Sequence, residues 1–341
     1  MTEPFALPET ALAAWLERHL PGFVGPLTAS KFKGGQSNPT YLIEAASGRY
    51  VLRRKPPGQL LASAHAIDRE FRVLQALAGG KVPVAPPLHL CRDESVIGSL
   101  FYLMGHVPGR IFWDPALPEI AREARGDHYD AILRTLANLH AVDVEAAGLA
   151  DYGKPGNYFA RQLKRWGEQY RASELGHIGP VEDLIEWLVA HVPADDGAVS
   201  LVHGDWRIDN LIFDAETPEI RAVVDWELST LGHPLSDLGY FCMALRLPRN
   251  PVIPGLQGID RAAQGLPSER RIVERYIALS GRDAFDDWPF ILAFNFFRLA
   301  AIAQGVAKRA VQGNASSAQA AATGKMVPVI AALGLEAARG G

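Results

Sequence analysis

Hydrophobic and polar positions follow two different rhythms along this chain. From about Pro8 to Leu20 apolar residues return at helical spacing, and Pro21-Gly22 stops the run. The rhythm then shortens to strand-like runs at Leu27–Lys33, Thr40–Glu44 and Arg49–Arg54, punctuated by Gly34-Gly35 and the turn Ala46-Ser47-Gly48. Helical spacing comes back from about Leu60 to Leu77, where Ile67, Phe71, Leu74 and Leu77 share a face, and Gly79-Gly80 closes it. Pro87–Cys91 and Ser99–Met104 read as two more strands. Beyond about Pro118 the pattern is mainly helical, interrupted by strand-like Val199–His203, Leu211–Phe213 and Arg221–Asp225. The Ala-rich stretch Asn314–Ala338 reads as one helix kinked near Pro328. The pattern predicts an α+β fold in two parts. Residues 1–104 form a small β-rich lobe with one key helix, residues 105–341 a larger, mainly helical lobe, and a ligand cleft is expected where they meet.

Composition narrows the class. The chain has 341 residues, 48% of them hydrophobic and 21% charged, as in ordinary globular enzymes. A formal net charge of −4 argues against a nucleic-acid-binding face. Two cysteines, Cys91 and Cys242, cannot build a disulfide framework, which points to a reducing compartment. The opening MTEPFALPET lacks the basic region and apolar run of a signal peptide. The most apolar stretch, Ile291 to Ala307, is broken by Asn295, Arg298 and Gln304 and reads as too short and too polar for a bilayer. A cytoplasmic protein with no membrane or nucleic-acid partner is expected. Oligomeric state leaves no mark in the pattern.

The strongest chemical signal is Leu201-Val202-His203-Gly204-Asp205-Trp206-Arg207-Ile208-Asp209-Asn210. An apolar run feeds a His-Gly-Asp turn, and Asn210 follows Asp205 by five residues. A second apolar run, Ala222-Val223-Val224, delivers Asp225-Trp226-Glu227. Phosphoryl transfer needs a carboxylate beside the attacking hydroxyl and oxygen ligands that hold magnesium against a triphosphate. A loop Asp, a nearby Asn and an Asp ending the next hairpin meet that need together, although each alone is common in turns. Other chemistries lack their residues. There is no H-E-x-x-H or C-x-x-C, no G-x-S-x-G elbow, no Walker loop before Gly324-Lys325 and no dinucleotide-binding fingerprint.

His203-Gly204-Asp205 with Asn210 resembles the catalytic loop of the aminoglycoside phosphotransferase and choline kinase family, relatives of protein kinases. Val224-Asp225-Trp226-Glu227 is similar to that family's metal-binding segment. The resemblance implies a protein-kinase-like two-lobed fold and the cofactors ATP and Mg2+. It also implies that Asp205 orients or deprotonates the acceptor hydroxyl, that Asn210 and Asp225 bind magnesium, and that His203 and Asp237, the latter in Gly232-His233-Pro234-Leu235-Ser236-Asp237, brace the loop. Lys33-Gly34-Gly35-Gln36-Ser37-Asn38 lies where the kinase fold covers phosphates, which makes Gly34, Gly35, Ser37 and Asn38 phosphate-loop candidates. Tyr50-Val51-Leu52-Arg53 stands in the place of the kinase V-A-I-K strand. Val51 would line the adenine pocket, and Arg53 would replace the usual lysine on the phosphates, with Arg54 or Lys55 as substitutes in another register. Glu70 is the expected partner of Arg53. Leu103–Val107 is the expected hinge, with Met104 and His106 toward the nucleotide. His140 is expected as a packed residue of the helical lobe.

The resemblance implies an acceptor that is a small molecule bearing a hydroxyl. Tyr152–Trp166, Trp206–Asp209 and Asp283–Arg298 are candidate walls. Asp283, Asp286 and Asp287 read as the charged N-terminal end of the next helix or would suit a cationic aminoglycoside or choline-type amine, and Arg161, Lys164 and Arg165 would suit an acidic acceptor. A finer resemblance covers about Ser30 to Gly313 through Arg53-Arg54-Lys55-Pro56-Pro57-Gly58, the His203–Asn210 loop and Phe297-Arg298-Leu299-Ala300. It points to the kinase-like domain fused to some large acyl-CoA dehydrogenases and implies a hydroxyacyl-CoA or related metabolite. The alternative from another class is a non-catalytic nucleotide-binding scaffold, favoured by Arg in place of Lys.

Overall fold

The computed structural model describes residues 7–32, 38–56, 66–250, 254–283, 287–312 and 318–340. Two compact units divide the chain: residues 1–110, 147–149 and 211–228 in one, residues 111–146, 150–210 and 229–341 in the other.

In the first unit, helix α1 (Glu9–His19) precedes β1 (Leu27–Lys31), β2 (Thr40–Ala45) and β3 (Gly48–Arg54). Helix α2 (Ile67–Leu77) follows, then β4 (Pro87–Cys91) and β5 (Phe101–Gly105). The five strands form one antiparallel sheet in the order β1-β2-β3-β5-β4. Strand alternation gives the sheet two distinct faces. One carries Tyr41, Ile43, Leu52, Phe101 and Leu103 into an apolar cluster with Leu12, Trp15 and Leu16 of α1. The other carries Leu42, Val51, Arg53, Tyr102 and Met104. Burying each large aliphatic or aromatic side chain of the cluster contributes about 1.5–3 kcal/mol, so this layer, more than any surface ion pair, fixes the strand register.

The strands and helices of the first hundred residues lie close to the sequence reading, with differences at their ends. Helix α2 begins at Ile67, and the expected start near Leu60 lies outside the described residues. The hairpin β7 (Leu211–Phe213) and β8 (Ile220–Val223) belongs to the first unit because backbone bonds tie it there. Arg110 and Phe213 exchange N–H···O=C bonds of 2.8 Å each, and Val223 N donates to Pro83 O at 2.8 Å. The turn Trp226–Leu228 packs on α2.

The second unit contains α3 (Arg125–His140), α4 (Tyr158–Ser173), α5 (Gly179–Ala190), β6 (Ser200–Val202), β9 (Thr230–Gly232), α6 (Leu235–Arg246), α7 (Glu269–Ser280), α8 (Trp288–Val311), α9 (Ala318–Lys325) and α10 (Val327–Ala338). Strands β6 and β9 pair antiparallel. Where one kinked terminal helix was expected, two helices stand, because Pro328 falls in the first turn of α10, where its missing N–H costs nothing.

Helix α8 also corrects the sequence reading. Its 24 residues, with a mean hydropathy of 1.6 over an 18-residue window, make it long and apolar enough to cross a membrane, yet 83% of that window is buried within the fold. The apolar run extends beyond Ile291–Ala307 at both ends, and Asn295, Arg298 and Gln304 are buried rather than exposed. Helices α4, α5, α6, α9 and α10 surround it.

Helices α6 and α8 cross so closely that only a glycine fits at Gly239. A Cβ there would lie 2.4 Å from Ile291 Cγ2 and 2.7 Å from Asn295 Nδ2. Gly239→Ala is therefore expected to destabilise the fold by about 1–3 kcal/mol through overpacking, read as a lower thermal midpoint. An unchanged midpoint would show that the crossing can relax.

Candidate functional site

The first unit gathers the residues expected to meet a nucleotide. The pleat puts Arg53 on the same face as Val51 and opposite Leu52 and Arg54. Arg54 turns away, its Nε donating to Ser99 Oγ at 2.9 Å, so Arg53 is the basic residue facing α2. Arg53 Nε lies 2.8 Å from Glu70 Oε2, and Arg53 Nη2 donates to Asp225 Oδ1 at 2.7 Å and approaches Glu227 Oε2 at 3.5 Å. The Nε–H is not aimed along its contact, so the tie to Glu70 is an ion pair rather than a hydrogen bond. Arg53 is 8% and Glu70 2% exposed; breaking such a buried pair typically costs about 3–5 kcal/mol.

Glu70 is held by further donors: Asn38 Nδ2 at 2.7 Å to Oε1 and Tyr102 OH at 3.1 Å to Oε2. Asn38, expected on the phosphate loop, is thus fully buried and turned onto Glu70. The neighbouring candidates Gly34, Gly35 and Ser37 lie outside the described residues. Burial pushes the Glu70 carboxyl up, against the Arg53 cation and the Tyr102 and Asn38 hydrogen bonds. Burial alone would lower the Arg53 guanidinium, but Glu70, Asp225, Tyr102 and Glu227 outweigh it and keep it charged. Asp225 adopts a left-handed backbone, φ 67°, an uncommon conformation for a residue with a Cβ.

Val51 and Met104 are cross-strand partners and both half-buried, beside Leu42. This makes a row of apolar side chains on the Arg53 face. In the expected hinge, Gly105 N donates to Pro86 O at 2.8 Å and His106 N to Arg49 O at 3.3 Å, so both amides are engaged within the protein.

The second unit gathers the loop. Strand β6 leads into His203, and Gly204 adopts φ 84°, where glycine carries no steric penalty. The Asp237 carboxylate on α6 accepts His203 N–H at 2.7 Å on Oδ2 and Gly204 N–H at 2.8 Å on Oδ1. His140 Nε2 reaches Asp237 Oδ2 at 3.2 Å, and its Nδ1 lies 2.7 Å from Tyr276 OH. Since the carboxylate only accepts, Nε2 carries the proton and Nδ1 accepts from tyrosine. His140, expected as a packing residue, is both buried and part of this network.

Asp205 points from the loop half-buried. Asn210 Nδ2 donates to Asp205 O at 2.9 Å and Oδ2 at 3.0 Å, and Arg207 Nε lies 3.7 Å from Asp205 Oδ1. Burial works to raise the Asp205 carboxyl. Arg207, His203, a hydrogen bond from Tyr240 and the Arg298 charge prevail, and the net shift is downward, so Asp205 is a carboxylate near neutrality. Burial likewise acts upward on Asp237, but His140, His203 and the Gly204 amide hold it below the usual carboxylate range.

Several of these residues escaped the sequence reading. Tyr240, buried and hydrogen-bonded to Asp205, sits three residues after Asp237, a spacing that places both on one helix face. Arg298 donates to Gly204 O from α8, and its visible signal was a charge inside an apolar run. Tyr102 carried no local signal, and Glu227 was visible only as the end of the Asp225-Trp226-Glu227 segment. The candidate acceptor wall Tyr152–Trp166 turns Tyr152, Tyr158, Phe159 and Trp166 inward.

The sequence profile of the Phosphotransferase enzyme family matches residues 28–273. Acyl-CoA dehydrogenase family member 10 of Mus musculus is 46% identical over 334 residues, covering 96% of this chain and 31% of that protein. This chain therefore spans about a third of that relative's length. A crystal structure from Ralstonia eutropha, provisionally assigned as an aminoglycoside phosphotransferase, is 47% identical with a TM-score of 0.88, covering 98% of this chain and 99% of that one. A thermostable mutant of aminoglycoside phosphotransferase APH(4)-Ia, in a ternary complex with AMP-PNP and hygromycin B, shares the fold. Its TM-score is 0.66 at 14% identity, over 97% of this chain and 100% of that one.

Proposed function

Because the chain belongs to the phosphotransferase enzyme family and has its kinase-like α+β fold, we propose that it moves the γ-phosphoryl group of ATP to a hydroxyl of a small molecule. The observation that carries this reading is the Asp205 loop. A carboxylate held ionised, pinned by Asn210 and set on a turn clamped by Asp237, is what a hydroxyl needs beside it to become a nucleophile.

In this reading Glu70 fixes Arg53, and Arg53 exchanges Asp225 for phosphate oxygens when nucleotide binds. Val51 and Met104 contact the base. Each proposed ligand offers Mg2+ a hard oxygen: Asp225, in the first unit, its carboxylate, and Asn210, in the second, its Oδ1, since its Nδ2 is committed to Asp205. Among the described residues no group of three or more His, Cys, Asp or Glu side chains forms a metal site alone, so the phosphates would complete the coordination. Bound magnesium would neutralise charge on the triphosphate. Asp205 aligns the acceptor and takes its proton as the oxygen attacks, and catalysis is mainly alignment and charge neutralisation.

For the acceptor we favour a hydroxyacyl-CoA, on the strength of the 46% identity to a protein named as an acyl-CoA dehydrogenase family member. ADP release measured across hydroxylated acyl-CoAs, aminoglycosides and choline-type amines separates the acceptor classes. Asp225→Ala is expected to weaken ATP binding at least about tenfold in magnesium and far less without it, read by calorimetric titration. Equal affinities with and without the metal would remove Asp225 from the magnesium site.

A further inference from the structure

Helix α8 holds a cation where its surroundings are apolar and aromatic. Arg298 is 4% exposed, and its guanidinium lies over the rings of Trp166, at 5.3 Å, and Tyr240, at 5.2 Å. Its Nη2 donates to Gly204 O, while Nε and Nη1 are buried without hydrogen-bond partners among the described residues. Burying a guanidinium with no carboxylate bonded to it is unfavourable, and cation–π contact offsets only part of the cost. A residue kept under those terms is explained by what it touches.

What it touches is the peptide immediately before Asp205. The Gly204 N–H is held by Asp237 from α6 and the Gly204 carbonyl by Arg298 from α8. Gly204 is the residue in left-handed conformation that turns the chain into Asp205. With both ends fixed, the direction in which Asp205 leaves the turn is set by two helices rather than by the loop itself.

We propose that Arg298 is a positioning residue for phosphoryl transfer: from α8 it clamps the Gly204 carbonyl and so aims Asp205. The inference rests on the phosphotransferase reading above.

The test uses the full chain, magnesium and ATP alone as the probe, with water as acceptor. In Arg298→Met, a neutral side chain of similar length, ATP hydrolysis should fall about tenfold or more at unchanged KM for ATP. The Gly204 carbonyl carbon resonance should shift in the same variant, as the guanidinium hydrogen bond is lost. Arg298→Lys keeps a donor for that carbonyl without the planar fork, so its loss should be smaller, about threefold, again at unchanged KM for ATP. A wild-type rate in Arg298→Met would overturn the proposal, as would a loss confined to KM for ATP. If Arg298→Met does not fold, Arg298→Lys decides: a wild-type rate, or a loss confined to KM for ATP, in that variant contradicts the proposal. A wild-type protein that never turns over ATP would sink the phosphotransferase reading, while the Gly204 carbonyl resonance would still judge the clamp.

Discussion

Asp205→Ala is expected to lower phosphoryl transfer by about a hundred- to ten-thousandfold, the usual contribution of a positioned general base. ATP affinity should be nearly unchanged. The two effects separate because Asp205 is bonded within its own loop, to Asn210 and Arg207, while the residues proposed for the phosphates, Arg53 and Glu70, belong to the other unit. Its ionised state follows from neighbours that outweigh burial, so transfer should also decline as pH falls through the lowered Asp205 pKa, below the ordinary carboxylate range. Initial rates of ADP formation at saturating ATP, beside direct nucleotide titration, check both parts. A variant with full turnover would leave Asp205 without a catalytic role.

The second large effect concerns Asp237. Asp237→Asn replaces an acceptor-only carboxylate with a group that also donates, where His203 N–H, Gly204 N–H and His140 Nε2–H all point inward. One donor loses its partner and the buried arrangement loses its charge. The expected cost is about 3–5 kcal/mol of stability, together with most of the activity.

Acid should reveal the same network. The folded Asp237 pKa is depressed, so its contribution is complete above the unfolded value of about 3.9 and is lost as pH falls through the lower folded value. His140 is depressed as well, chiefly by burial, and remains neutral in the fold. Its contribution fades as pH falls below the unfolded value of about 6.5. Below about pH 3.9 denaturant midpoints should fall more steeply in the wild type than in Asp237→Asn, whereas above it Asp237 adds no slope. Parallel curves would show that Asp237 does not titrate as described.

The contrast between what local pattern reveals and what it hides is physical. Strands β2 to β5 were legible as short runs rich in apolar residues between turn-forming neighbours, and the loop from His203 to Asn210 because its groups lie within eight residues. Arg53 and Glu70 were also within reach, since strand alternation and helical spacing orient each of them. Asn38 misled because a polar residue beside glycines resembles a loop contact, whereas its amide satisfies a buried carboxylate 32 positions away. Arg298 reaches Gly204 across 94 positions, and nothing in either neighbourhood encodes that distance. The single terminal helix failed on Pro328, which starts a helix as readily as it bends one.

The most direct measurement follows the phosphoryl group itself. Wild-type protein and Asp205→Ala are incubated with magnesium, ATP labelled at the γ-phosphate and a panel of hydroxylated acyl-CoAs, aminoglycosides and choline-type amines. The expected result is label in an organic phosphate ester with the wild type and almost none with Asp205→Ala, both proteins binding ATP alike. Label that appears equally with both proteins, or a wild type that neither binds nor consumes ATP, would contradict a phosphotransferase built on the Asp205 loop.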